Sequence, residues 1–315
     1  MKLLAYIFSI FILIIAPFIF PTYWTMILSE ILIMGLFALT FNLLLGYTGL
    51  LSFGQAAFFG VGAYTAALLI KNGFENIFLI FLLGFILSAV CSAIVGYLSI
   101  RRDEIFFAML TLGFGMLFYA IAHNWIAVTG GSDGMPVFSL PIIKFGTFQI
   151  NFYTPVNMYF LILIVTSIAS VTLYFIIHSP FGLILKGLRE NKERVLFVGG
   201  NINLFRIVAF TISGSFAGVS GILFCFLNNM ATPEFMHWSF SARPVMMSII
   251  GGTNVFWGPM IGAGIFFILE QIVIQFSENW MFFLGILLVL IVLFFPKGVL
   301  GTVLSLFSKK VKNAK

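Results

Sequence analysis

The stretch NLLLGYTGLLSFGQAAFFG, residues 42–60, opens and closes in apolar sequence and is broken in the middle. Gly46, Gly49 and Gly54 interrupt it, together with the polar side chains of Thr48, Ser52 and Gln55. The apolar run before the break reaches back to about residue 24, and the run after it continues to about residue 70. Between those limits Glu30 is the only charged residue. Non-helical backbone at membrane depth is tolerated only where it is buried in protein or lines a cavity. Transporters use such breaks to present half-helix ends and carbonyls to a substrate. On that reading Asn42, Gly46, Thr48, Gly49, Ser52, Gly54 and Gln55 belong to a substrate path. Gln55 then caps the second run, whose N-terminal dipole favours a carboxylate. The competing reading is a tight turn between two spans near the inner face.

Composition supports a membrane setting. Of 315 residues, 61% are hydrophobic and 8% are charged, against about 25% charged in an average soluble domain. The mean hydropathy is +1.15. Sixteen basic and ten acidic residues cannot coat a soluble fold of this length. An ordinary globular enzyme, a disordered chain and a secreted disulfide scaffold are therefore excluded. A transmembrane β-barrel would alternate polarity in strands of about ten residues. Continuous apolar runs of about 18 residues or more predict helices instead. The expected fold is an all-α integral membrane protein, a polytopic permease forming one domain over residues 1–315.

Apolar runs fall at about 3–20, 24–45, 55–70, 77–100, 105–128, 156–177, 207–227, 257–276 and 280–295. A shorter piece, 245–250, precedes a second Gly-rich break. This predicts about nine spans plus a re-entrant half-span. The first run lacks a small-residue cleavage site and is read as a retained span. With a cytoplasmic N-terminus and one crossing per run, 13 of the 16 basic residues fall on the cytoplasmic side. They are Lys2, Arg101, Arg102, Lys186, Arg189, Lys192, Arg194, Arg206, Lys297, Lys309, Lys310, Lys312 and Lys315; Lys71, Lys144 and Arg243 remain outside. This asymmetry fixes the orientation. It also accounts for the basic pI of about 9.4 without nucleic acid.

The second break, GGTNVFWGP over residues 251–259, contributes Gly251, Gly252 and Thr253 as path candidates. An inside loop over about 179–206 carries much of the cytoplasmic charge. Its 183–198 portion mixes Leu185, Leu188, Val195, Leu196 and Val198 with charges and predicts one amphipathic helix ended by Gly199. Such a helix suits the groove of a soluble partner, or lipid head groups. The outer loop over about 129–155 holds GGSDGMP, a turn or docking element.

Gly214–Gly218, Gly258–Gly262 and the small residues of 56–66 mark close helix packing. Glu30 and Glu270 are the acids well inside spans, read as hydrogen-bonded helix anchors rather than a proton relay. Cys91 and Cys225 lie in apolar runs as inert thiols. The three histidines lack ligand spacing, so no metal is expected. No catalytic constellation and no GxxxxGK[ST] loop is present, so any ATP must be used by a partner.

The run over residues 42–60 resembles the hallmark of branched-chain amino acid ABC transporter permeases. Ser179-Pro180-Phe181-Gly182 leading to Arg189-Glu190-Asn191 is similar to their M-type (LivM) subunits. Ser239-Phe240-Ser241, Gly251-Gly252 followed by Trp257-Gly258-Pro259, and Phe294-Phe295-Pro296-Lys297-Gly298 also fit. The resemblance implies a multi-pass subunit of the bacterial inner (plasma) membrane without a cofactor of its own. Its implied partners are a second, LivH-like permease subunit, two cytoplasmic ABC ATPase subunits and a periplasmic substrate-binding protein. The loop residues Leu188, Arg189, Glu190, Asn191, Glu193 and Arg194 would seat in an ATPase cleft. Two departures stand out: Gln55 where many relatives carry His, and Thr253-Asn254 in place of a more apolar stretch. The cargo implied is leucine, isoleucine or valine, with urea or short amides as the alternative cargo. An ion-coupled secondary carrier is the alternative of another class.

Overall fold

The computed structural model describes residues 13–100, 104–138, 140–141, 143–145, 148–276, 280–295, 298–303 and 305. Arg101, Arg102, Lys297 and the terminal lysines lie outside the described residues. So does most of the first expected span, of which 13–19 is helical.

In chain order the helices are α1 (Thr22–Thr48), α2 (Gln55–Lys71), α3 (Ile77–Ser99), α4 (Glu104–Asn124) and the single turn α5 (Ile126–Thr129). After short strands β1 (Met135–Pro136), β2 (Ile143–Phe145) and β3 (Phe148–Ile150) come α6 (Pro155–His178), α7 (Pro180–Glu190), α8 (Lys192–Phe197) and α9 (Ile202–Asn228). Strand β4 (Met230–Ala231) leads to α10 (Trp238–Gly251), α11 (Gly258–Phe276) and α12 (Trp280–Phe294). The architecture is that of a helical membrane protein. Among the described residues six helices are long and apolar enough to cross a membrane: α1, α3, α4, α6, α9 and α11. Helices α2 and α12, with 17 and 15 residues, fall short of that length.

The local signals are legible. Asn76 caps α3 by accepting from Phe78 N at 3.0 Å and Leu79 N at 3.3 Å. Asn201 caps α9 through Leu204 N at 3.1 Å, and Pro155 opens α6 at its first position. Each satisfies or avoids an otherwise orphaned donor. The outer loop is not purely irregular: β1 pairs antiparallel with β4, and β2 with β3.

Helices α1 and α9 form the centre, with 83% and 78% of their apolar windows buried against 28% for α3 and 22% for α4. In lipid the hydrophobic effect does not drive helices together, so close backbone packing must. The small residues supply it. A Cβ on Gly62 would meet the backbone of Gly218, and one on Gly221 would meet the carbonyl of Phe59. Gly214 and Gly218 likewise back onto Ser92 and Ser88 of α3. Helix α9 is thereby pinned between α2 and α3. Helix α11 runs antiparallel to α1: Gly35 meets Met260 and Ala263, and Tyr23 Oη donates to Gln271 Oε1 at 2.9 Å.

Candidate functional site

Helix α1 ends at Thr48, where Gly49 takes φ 75°. This left-handed conformation suits glycine and lets Leu50 N reach back to Leu44 O at 3.3 Å. The next residues climb back into the protein without forming helix. Ser52 and Gln55 are fully buried and Leu50 is nearly so. The depth follows from the partners of α2's first turn. Gln55 Nε2 donates to Ser213 Oγ at 3.1 Å, and Ser213 Oγ donates to Thr40 O at 2.6 Å. Thr40 lies about 12 Å back from the Thr48 end of α1, and Ser213 about 17 Å from the Ile202 end of α9, at 1.5 Å per residue. The segment is therefore not a tight turn that stays at the end of α1. Gly46 to Gly49 lie against the 179–206 loop, but Gln55 starts α2 beside the middle of α1 and α9. The non-helical residues 49–54 carry the chain from the end of α1 back to that level.

Gln55 also does not cap α2. Gly54 is the N-cap and no side-chain cap bond is made there. The first-turn donors are answered instead by distant helices and by the loop itself. Ala56 N donates to Ser241 Oγ of α10 at 3.0 Å, Phe53 N to Thr111 Oγ1 of α4 at 3.3 Å, and Gly54 N to Ser52 Oγ at 3.3 Å. The helix start is therefore closed by protein rather than open to an anion. Among buried side chains, Gln55 Oε1 and Asn42 Oδ1 have no hydrogen-bond partner.

The second break lies against the lower part of the first. Helix α10 ends at Gly251, and Gly252 turns the chain at φ 105°. Asn42 Nδ2 donates to Thr253 O at 3.2 Å. A Cβ on Gly46 would fall onto the Asn42 side chain and Thr253 O, so the approach requires glycine. Arg189 of α7 donates through one Nη1 to both Gly46 O and, at 3.1 Å, Asn254 Oδ1. Its aliphatic stem lies 3.4 Å from where a Gly49 Cβ would be, and Lys186 Nζ sits 5.5 Å over the Tyr47 ring. The two glycine breaks and the inside loop, far apart in sequence, therefore meet at one guanidinium. Asn254 was not among the expected site residues; the one signal for it was a polar side chain in a Gly-rich turn.

The inside loop is two helices, not the single one expected. Asn191 takes an extended conformation (φ −158°, ψ 108°) and its side chain accepts from Arg194 N at 3.1 Å to cap α8. A residue that can bond its own downstream backbone competes with helix continuation, and here it wins. Leu185 and Leu188 are buried, while Glu190, Asn191, Glu193 and Arg194 are exposed. Past them Leu196, Phe197 and Val198 are 56%, 88% and 90% exposed.

Glu30 is half-buried and Glu270 is 7% exposed. Arg243 is within electrostatic reach of both. The expectation for Arg243 was a place on the outer side, between the apolar run ending near 227 and the piece starting at 245. The structure begins α10 at Trp238 and includes Pro244 within it, and so carries Arg243 into the same layer as the acids. Among the described residues no cluster of three or more His, Cys, Asp or Glu side chains could hold a metal ion.

The family described as "Branched-chain amino acid transport system / permease component" matches residues 23–292. The chain belongs to this family. The LivM permease proteins of the high-affinity branched-chain amino acid transport systems of Salmonella typhimurium and Escherichia coli are 28% and 27% identical over 279 residues. Those alignments cover 82% of this chain and 65% of each relative, so the chain spans just under two thirds of their length. A probable branched-chain amino acid transport permease LivM of Methanocaldococcus jannaschii is 21% identical over 311 residues, covering 84% of this chain and 89% of that protein. No solved structure matches. The family match takes in nearly all of α1 and everything from there through α11, so both glycine breaks and the Arg189 contact belong to the permease itself.

Proposed function

We propose that this family member is one of two different membrane subunits of an ATP-driven importer of branched-chain amino acids. It lies in the bacterial inner membrane with its N-terminus inside and crosses about nine times. The 13 basic residues on the expected cytoplasmic side, against Lys71 and Lys144 outside, support that orientation. Two cytoplasmic ATPase subunits drive it and a periplasmic binding protein delivers the amino acid. No cofactor is needed in this chain.

The observation that carries the mechanism is the meeting of α7 with both breaks at Arg189. The exposed residues Glu190, Asn191, Glu193 and Arg194, with the apolar tip Leu196 to Val198, form the face that seats in an ATPase cleft. Buried Leu188, and Arg189 through its bonds to Gly46 O and Asn254 Oδ1, anchor α7 to the membrane helices, although Arg189 itself stays exposed. A push on α8 passes through the Asn191 joint into α7. Arg189 then displaces the Gly46–Gly49 and Gly251–Thr253 segments together. Those segments, with Asn42, Thr48, Ser52, Gly54 and Gln55, form the inner part of the path and move as joints when access alternates. Glycine at both breaks allows that motion without steric conflict.

The test is uptake of labelled leucine and labelled urea by proteoliposomes containing this chain, its membrane partner, both ATPases and the binding protein. Leucine uptake that needs ATP and the binding protein is the expected result. Urea uptake alone would change the cargo and keep the machine. Uptake by this chain alone without ATP would overturn the coupling and bring back a secondary carrier.

A further inference from the structure

Helix α10 has one open face. Ser239, Ala242, Arg243, Met246 and Ile249 share a stripe at helical spacing. All five are at least partly exposed, Met246 by 36% and Ile249 by 38%. The other side of α10 is closed: Ser241 answers Ala56 N, Ser248 Oγ donates to Ala38 O at 3.2 Å, and the Met247 backbone abuts Gly262. Helix α10 starts beside the start of α2, lies against the middle of α1 and ends at the second break, so its open stripe runs along the central helices. A serine and an arginine there do not face lipid chains; they face a partner or a water-filled path.

The charges are held in place. The Arg243 guanidinium lies 5.2 Å from the centre of the Phe240 ring. That ring is wedged among Phe37, Phe59, Phe224 and Phe235, with centroids 5.0 to 6.1 Å apart. A cation over a packed ring loses little further freedom on binding. Half-buried Glu30 of α1 is within electrostatic reach of Arg243. Arg243 thus marks the upper part of the stripe, with Glu30 on the neighbouring α1 and Glu270 on α11 within its reach; Ala242 adds little bulk there, and the longer apolar side chains of Met246 and Ile249 occupy the lower part.

Resting on the import reading above, we propose that this stripe is the substrate-contact surface of the subunit. Arg243 takes the carboxylate of an aliphatic α-amino acid and Glu30 takes its ammonium group. Met246 and Ile249 take its hydrocarbon side chain, while the second membrane subunit closes the opposite wall. A zwitterion with an apolar tail matches this order of groups; a neutral, tail-less cargo has no use for either charge.

The assembled importer in proteoliposomes provides the test, with Cys91 and Cys225 replaced by Ser. Ala242→Cys and Ile249→Cys are treated with a membrane-impermeant thiosulfonate, with and without leucine, ATP and the binding protein. Labelling at both sites, slowed by transported leucine, is expected. Separately, Arg243→Gln should lower leucine uptake about thirtyfold, the scale of a desolvated charge left without its partner. Arg243→Lys should retain more uptake, and co-purification of the other subunits with both variants reports assembly. Absence of labelling, or crosslinking of Ala242→Cys to the other membrane subunit, would make the stripe a packed interface or a lipid-facing surface and overturn the proposal. Labelling indifferent to leucine, or full uptake by Arg243→Gln, would also overturn it. If the unmutated complex imports no leucine, the import reading itself fails, which is a distinguishable result.

Discussion

Ser213 holds two separated parts of the chain with one oxygen. It accepts from Gln55 and donates to Thr40 O, all three groups being buried. Ser213→Ala leaves the Gln55 amide without its acceptor, and a stability loss of about 1–3 kcal/mol is expected. Thermal unfolding of the detergent-solubilised protein measures it. Glycines offer a sharper contrast. Gly221→Ala drives a methyl group into the Phe59 carbonyl, whereas a Cβ on Gly113 meets nothing within 4 Å. Gly221→Ala should lose about 1–3 kcal/mol or more and separate α9 from α2, while Gly113→Ala remains near wild type in the same melt. These residues were visible as small or polar positions in the sequence. Their partners were not, because spacing along one helix says nothing about which neighbour fills the groove.

Among the elements, α7 and α8 behave as a jointed pair. Arg189→Ala removes the bonds to Gly46 and Asn254 while leaving the exposed ATPase-facing residues in place. Uptake should fall at least about tenfold, the consequence of losing charge-assisted contacts at a transmission point. ATP hydrolysis should continue, giving a raised ratio of ATP consumed to leucine moved. Asn191→Ala removes the α8 cap at a cost of about 1 kcal/mol; hydrogen exchange at Arg194 N reports it as faster opening. The long apolar runs made α1, α3, α6 and α9 readable to within a few residues. The inside helix reads as continuous in the sequence because no Pro or Gly marks the joint; the break comes from a side-chain bond that Asn191 makes to Arg194 N. The layer of Arg243 was hidden for a different reason. Residues 238–244 are too mixed in polarity to read as part of an apolar run, yet α10 takes them in. Pro244 sits inside that helix, where the loss of one backbone bond is carried by the packed surroundings.

At the scale of the molecule, α1 and α9 form a buried centre, and the breaks are joined to the inside loop at one end of it. Membership of the permease family and the helical architecture were legible because membrane chains write their spans as runs and their joints as glycine clusters. The depth of Gln55 was not legible, because a climbing extended segment and a surface turn have the same composition. The exposed tip at Leu196, Phe197 and Val198 belongs to the same scale, since in the proposed complex the ATPase subunits cover it. Replacing all three by Ser should abolish co-purification of the ATPase subunits while the protein still inserts in the membrane. The same tip has a consequence for supply. On the proposed assembly, a chain synthesised ahead of its ATPases displays three contiguous greasy side chains to the cytosol, which chaperones and proteases recognise. Its abundance should track ATPase expression rather than its own transcript, and pulse-chase turnover should slow sharply when the ATPases are co-expressed.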